Sequence, residues 1–127
     1  MRFMIMHKLD ERVPQNFNPT PEFMARMGKF MQEYAESGVL LAGEGLRPSS
    51  QDSRRITVKG GKKNVIDGPF AESKELIAGF AIVDVPTLAD AEEIAQRFAD
   101  CFEGETDELE IDIRRIAEFS DFEAPPT

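Results

Sequence analysis

The chain has one cysteine and one histidine in 127 residues. With Cys101 alone, an intrachain disulfide is excluded, which fits a reducing compartment and makes a cytoplasmic protein the expectation. One His and one Cys are also too few for a tight zinc site, so no metal is expected. Long apolar runs are missing: Phe3-Met4-Ile5-Met6 is too short for the core of a secretory leader or for a membrane span. Positive charge is scarce. Fifteen Lys and Arg stand against 24 Asp and Glu, for a formal net charge of -9. Nucleic-acid binding and attraction to anionic membranes both rest on basic side chains, so neither partner is expected. Phosphate loops are absent too: Gly43-Glu44-Gly45 and Gly60-Gly61 match neither the G-x-G-x-x-G nor the Walker spacing. No nucleophile elbow surrounds Ser73, which disfavours a Ser73-His7-Asp67 triad. The expectation is a protein without cofactor.

What is there suits one domain, residues 1–119, with a flexible tail over 120–127. Phe3 to Met6 is apolar at every position and reads as a strand buried on both faces. Thr20 and Pro21 supply an N-cap and a first helical residue. Phe23, Met27, Phe30, Met31 and Tyr34 follow at one-face helical spacing, and Gly38 ends the helix. Val39 to Ala42 reads as the next strand. Arg55 to Val58, the Gly60-Gly61 turn and Asn64 to Ile66 form a hairpin signal. Arg54, Arg55 and the lysines from Lys59 to Lys63 make it basic, a solvated turn or an anion-binding loop. Ala78 to Val85 is a second strand apolar on both faces, with Gly79 marking a bulge or a close backbone approach. Thr87 and Asp90 resemble a capping box opening a helix whose face is Leu88, Ala91, Ile94, Ala95 and Phe98. Cys101 follows as a small buried hydrophobe. Leu109, Ile111 and Ile113 alternate with Glu110, Asp112 and Arg114 in a last strand with one wet face.

The order β-α-β-hairpin-β-α-β predicts an α+β fold, the ferredoxin-like split β-α-β sandwich with an extra β-hairpin. In that topology the two strands apolar on both faces are central and the alternating strand is an edge. Both helices cover one sheet face. The other face is still apolar at its centre, which predicts a homodimer packed through sheet faces.

The densest local signal is Asp67-Gly68-Pro69-Phe70-Ala71-Glu72-Ser73-Lys74-Glu75. Gly68 and Pro69 stiffen the turn and hold the Asp67 carboxylate at the end of a strand. With this turn, the Gly79-Phe80 strand start, the segment Gly38 to Ser49 and the terminal strand with Glu110, Ile111 and Arg114, the chain resembles the YCII-related family, its DGPF branch. The resemblance implies the dimeric α+β barrel version of the ferredoxin-like fold. It implies little about activity: some members are thought to be enzymes with a His-Asp pair, and others accompany alternative sigma factors in bacterial genomes. In the enzyme-like members the histidine lies in the first helical region, where this chain has none.

His7, the sole histidine, is therefore the first candidate for acid–base work, with Asp67 as general base or as the group orienting it. Glu44, between two glycines, and Gly68, Pro69, Phe70, Lys74 and Glu75 are candidate ligand contacts, while Phe70 reads as a core anchor. The leading expectation is a small homodimer that binds an unknown small organic ligand in a cleft between sheet and hairpin, with cofactor-independent acid–base chemistry there. The alternative is a non-enzymatic regulatory or interaction module.

Overall fold

The computed structural model describes residues 1–122. Six strands and two helices follow one another as β1 (Arg2–Lys8), α1 (Pro21–Glu36), β2 (Leu40–Gly45), β3 (Arg54–Lys59), β4 (Lys62–Asp67), β5 (Ile77–Asp84), α2 (Leu88–Asp100) and β6 (Glu110–Arg115), with short 3₁₀ turns at Pro14–Phe17 and Phe119–Phe122. Four strands make one antiparallel sheet in the order β2-β5-β1-β6, and β3 with β4 makes a separate two-stranded sheet. The order is that of the ferredoxin-like arrangement, with β1 and β5 central and β6 at an edge. The inner strands bury one face and leave the other half-buried, not buried on both faces as their unalternating sequences suggest, because the helices cover one side of the sheet only.

α1 starts where the chain dictates. Thr20 Oγ1 accepts from the Phe23 N–H at 3.2 Å, and Pro21 occupies the first helical position, where its missing N–H costs nothing. At α2, Thr87 Oγ1 accepts from the Asp90 N–H and donates to the Asp90 carboxylate at 2.8 Å. The aspartate thus bonds the threonine hydroxyl, not the Thr87 N–H that a glutamate, one methylene longer, reaches in a full capping box. β2 runs three residues beyond the Ala42 end that its apolar residues suggest. Gly43, Glu44 and Gly45 pair with Ala81, Phe80 and Gly79 of β5, so the neighbouring strand outweighs the poor strand propensity of glycine.

One core lies between the sheet and the helices. Phe3, Ile5, Ala81 and Val83 from the sheet meet Phe30 of α1 and Ala91, Ile94, Ala95 and Phe98 of α2, and all are buried. Cys101, at the end of α2, is buried with them. The opposite sheet face carries Met4, Met6, Phe80 and Ile82, each half-buried, beside a rim where Lys8 bridges Asp112 at 2.9 Å and Glu110 at 3.6 Å.

The β3–β4 hairpin closes in a two-residue turn, with Lys59 paired to Lys62 and positive φ at Gly60 (57°) and Gly61 (78°). That pair of backbone conformations matches the twist of the strands and is open to glycine at little cost. The hairpin exposes Ile56, Val58 and Val65. Of the tail expected from Ser120, residues up to Phe122 form a turn in which Arg115 holds Asp121 through two hydrogen bonds at 2.9 and 3.0 Å. Residues 123–127 lie outside the described residues. No described helix is long and apolar enough to cross a membrane.

Candidate functional site

His7 lies near the end of β1 on the helix side of the sheet, opposite Gly79 of β5. A side chain at Gly79 would put its Cβ 2.5 Å from His7 Cε1 and 2.8 Å from the Glu44 carbonyl oxygen. The glycine is therefore what lets the imidazole lie against the sheet, and the β1–β5 register shifts at the same place, between His7 and Lys8. The sequence reading of Gly79 as a bulge or close approach holds on both counts. Phe98 and Phe102 flank the ring at centroid distances of 5.2 Å each.

These aromatic walls open onto a cavity of about 410 Å³ between α1 and the sheet. Leu9, Phe23, Met27, Met31, Phe98 and Phe102 belong to its apolar lining, and Gln15, Asn16, Arg47, Glu105 and Thr106 also line it. At Gly43 an added Cβ would come within 2.3 Å of Met31 Cε, so the thioether occupies the space that a side chain on β2 would need. His7 Nδ1 is buried without a hydrogen-bond partner among the described residues. Desolvation lowers the imidazole pKa from the ordinary 6.5 to about 4. The ring is neutral at physiological pH, and no carboxylate contributes to its shift.

The Asp67 turn is a different kind of place. Asp67 accepts a hydrogen bond from Arg54 Nε at 3.0 Å across the hairpin, and both side chains are more than three-quarters exposed. The turn that follows is fixed by Ser49. The Phe70 N–H donates to Ser49 Oγ at 2.9 Å, while the Glu11 carboxylate accepts from the Ser49 hydroxyl and, at 2.7 Å, from the Ser49 N–H. An added Cβ at Gly68 would lie 1.7 Å from the Ser49 carbonyl oxygen, so glycine is obligatory there for space. Phe70 is absent from the core cluster, contrary to its reading as a core anchor. Its ring instead carries the Arg55 guanidinium 4.2 Å from the centroid, and Arg55 pairs in bidentate fashion with Glu72 at 2.8 and 2.9 Å. The polar chemistry of this turn thus joins the hairpin base to the loop after β1.

The expected site divides. His7 lines the cavity, and Glu44 borders it through its backbone alone, since its pairing with Phe80 puts its side chain on the opposite sheet face; Asp67, Gly68, Pro69, Phe70, Lys74 and Glu75 do not line it. Lys74 faces Glu108 at 3.4 Å. The cavity lies between α1 and the sheet, not in the expected cleft between sheet and hairpin. Met27, Met31 and Phe98, read from the sequence as helical apolar faces and not as site residues, belong to it, because such a stripe looks the same whether it fills a core or lines a hole; Phe102, just past α2, is not singled out by the sequence. Among the described residues, no group of three or more His, Cys, Asp or Glu side chains is placed to hold a metal ion.

No curated protein matches the chain. The family model of the YCII-related domain matches residues 1–114, nearly all of the described structure. The chain belongs to the YCII-related family.

Proposed function

We propose that this protein binds a small, largely apolar organic molecule in the cavity between α1 and the sheet, with His7 as the polar contact. The observation that carries this reading is an imidazole without a hydrogen-bond partner in a cavity walled by Phe and Met side chains. Buried polar groups are nearly always satisfied, so one that is not calls for an explanation, and a bound partner supplies it here. About 410 Å³ falls within the range of ligand pockets. Binding is better supported than turnover, since the Asp67 carboxylate expected to work with His7 is paired to Arg54 in the hairpin.

Methionine methyl groups test the reading directly. With ¹³C-methyl methionine, a fragment library should shift Met24, Met27 and Met31, which line the cavity, and leave Met4 and Met6 on the other sheet face unmoved. Shifts confined to Met4 and Met6, or none with any fragment, would sink it.

A second observation favours an assembly. We propose that two copies pack through the sheet face carrying Met4, Met6, Phe80 and Ile82, in the α+β barrel manner, as a DGPF-branch member of the family. The hairpin from Arg54 to Asp67 has five basic side chains and one acidic, a charge of +4, which leaves -13 on the other 113 residues. A basic arm exposing Ile56, Val58 and Val65 complements a second, acidic copy in both charge and apolarity. Sedimentation should give a dimer at micromolar concentration, and a monomer there removes the proposal.

A further inference from the structure

The cavity also constrains what its ligand offers to His7. A neutral imidazole has one N–H donor and one lone-pair acceptor, on different nitrogens. Nδ1 is shut in with no partner. A buried N–H without an acceptor is rarer and costlier than a buried lone pair without a donor. The proton is therefore excluded from Nδ1 and sits on Nε2. Nε2 is the nitrogen that is not walled in, and the ring lines the cavity between the flanking Phe98 and Phe102. The imidazole thus presents a donor to the cavity.

The partner for that donor has to be an acceptor that tolerates an apolar surround. A carboxylate fits poorly: no positive charge stands beside His7 to offset the loss of its hydration. The one guanidinium in the lining, Arg47, is engaged elsewhere, donating to the Phe17 carbonyl at 3.1 Å and to the Gln51 side chain at 3.0 Å. The other polar side chains of the lining have partners within the protein: Gln15 donates to the Asn18 carbonyl, Asn16 to the Asp10 carbonyl and Thr106 to the Glu108 carbonyl, and Glu105 accepts from Thr20. The aromatic faces and thioethers beside them suit flat, polarisable bodies.

We infer that the ligand of this cavity is a flat apolar molecule bearing a neutral carbonyl group that accepts a hydrogen bond from the Nε2–H of His7. This rests on the cavity being the binding site, as proposed above. It adds the chemical class of the ligand and the direction of the hydrogen bond.

Two measurements test it. The chain has one histidine, so a ¹⁵N spectrum shows a single pair of ring nitrogens. In the free protein at pH 7 it should report the Nε2–H tautomer; the Nδ1–H tautomer overturns the inference. The second compares three probes of like shape: 2-acetonaphthone, 2-isopropenylnaphthalene, in which C=CH₂ replaces C=O, and 2-naphthoate. A single hydrogen bond predicts that the ketone binds about three- to ten-fold tighter than the alkene. His7→Leu should bind ketone and alkene equally, and the ketone should shift the Nε2 signal of the unsubstituted protein. Equal binding of ketone and alkene by that protein overturns the carbonyl inference while leaving the cavity as a binding site. Tighter binding of 2-naphthoate also overturns it. If none of the three binds, both the inference and the cavity reading fall.

Discussion

The cavity around His7 and the turn around Asp67 are alike in outline, since each places an ionisable side chain at a strand end against a required glycine: Gly68 next to Asp67 in the chain, Gly79 opposite His7 across the sheet. In the structure they are opposites. At the turn, every prominent polar group has a partner: Asp67 has Arg54, Glu72 has Arg55, and Ser49 joins Glu11 to the Phe70 N–H. In the cavity, His7 Nδ1 has none. The glycines differ in the same way. Gly68 gives way to backbone, the Ser49 carbonyl, whereas Gly79 gives way first to a side chain, the His7 ring. A dense cluster of satisfied charges marks a joint. A single unsatisfied group in an apolar hole marks a place where something else can bind.

The comparison breaks first under acid. The His7 pKa is about 4 in the fold against an ordinary 6.5, so between those values the unfolded chain binds a proton that the folded one refuses. Stability should be unaffected by His7 above pH 6.5, fall as the pH drops through that window, and lose up to about 3 kcal/mol by pH 4. The arginine-paired carboxylates Glu72, Glu118 and Asp121 have lowered pKa values and release their stabilisation only at more acidic pH. Denaturant titrations at pH 7, 5.5 and 4 should show the slope, and His7→Leu should flatten it. An identical slope in His7→Leu would show that the imidazole is not desolvated.

The joint is tested by Gly68→Ala, which drives a methyl group into the Ser49 backbone. It should destabilise the protein by about 2 kcal/mol. The ratio of 2-acetonaphthone to 2-isopropenylnaphthalene affinity should not change, because the turn does not line the cavity. A change in that ratio would join the two regions that the structure separates. Ser49→Ala leaves the Phe70 N–H without its acceptor and removes one of the two Ser49 donors to the Glu11 carboxylate, the backbone N–H staying in place, and should cost about 1–3 kcal/mol in a denaturant titration. The smallest effect belongs to Asp67→Asn. An exposed ion pair contributes little, so the denaturation midpoint and probe affinities should both stay where they were. A loss of affinity would return Asp67 to the binding site.

Much of the fold is legible along the chain. The unalternating runs in β1 and β5 reveal central strands, the alternation of Ile111 and Ile113 reveals an edge, and Thr20, Pro21 and Gly38 bound α1. These signals survive because they depend on neighbours in sequence: a cap is a bond between residues three apart, and a strand's period is two. Of the site, His7 could be picked out by type; Glu44 stands out too, but only its backbone borders the cavity. The separation of His7 from Asp67 could not be read, since both residues sit at strand ends and only the sheet assignment decides which ends lie together. Gly79 announces that something approaches it, and only the β1–β5 register shows that His7 does.

Composition and local pattern alone determined that the chain is acidic, free of intrachain disulfides, and built as α+β with a hairpin after the second main strand. Tertiary structure decided that the hairpin forms a sheet of its own, that Phe70 carries Arg55, and that α1 leaves a cavity over the sheet beside an unpaired imidazole. The division has a physical cause. Capping, turn formation and amphipathic period are set by residues a few positions apart, whereas a hole and an unmet hydrogen bond depend on how side chains from β1, α1, β5 and α2 fill shared space. The sequence of any one of those elements carries no record of the volume that the others leave empty.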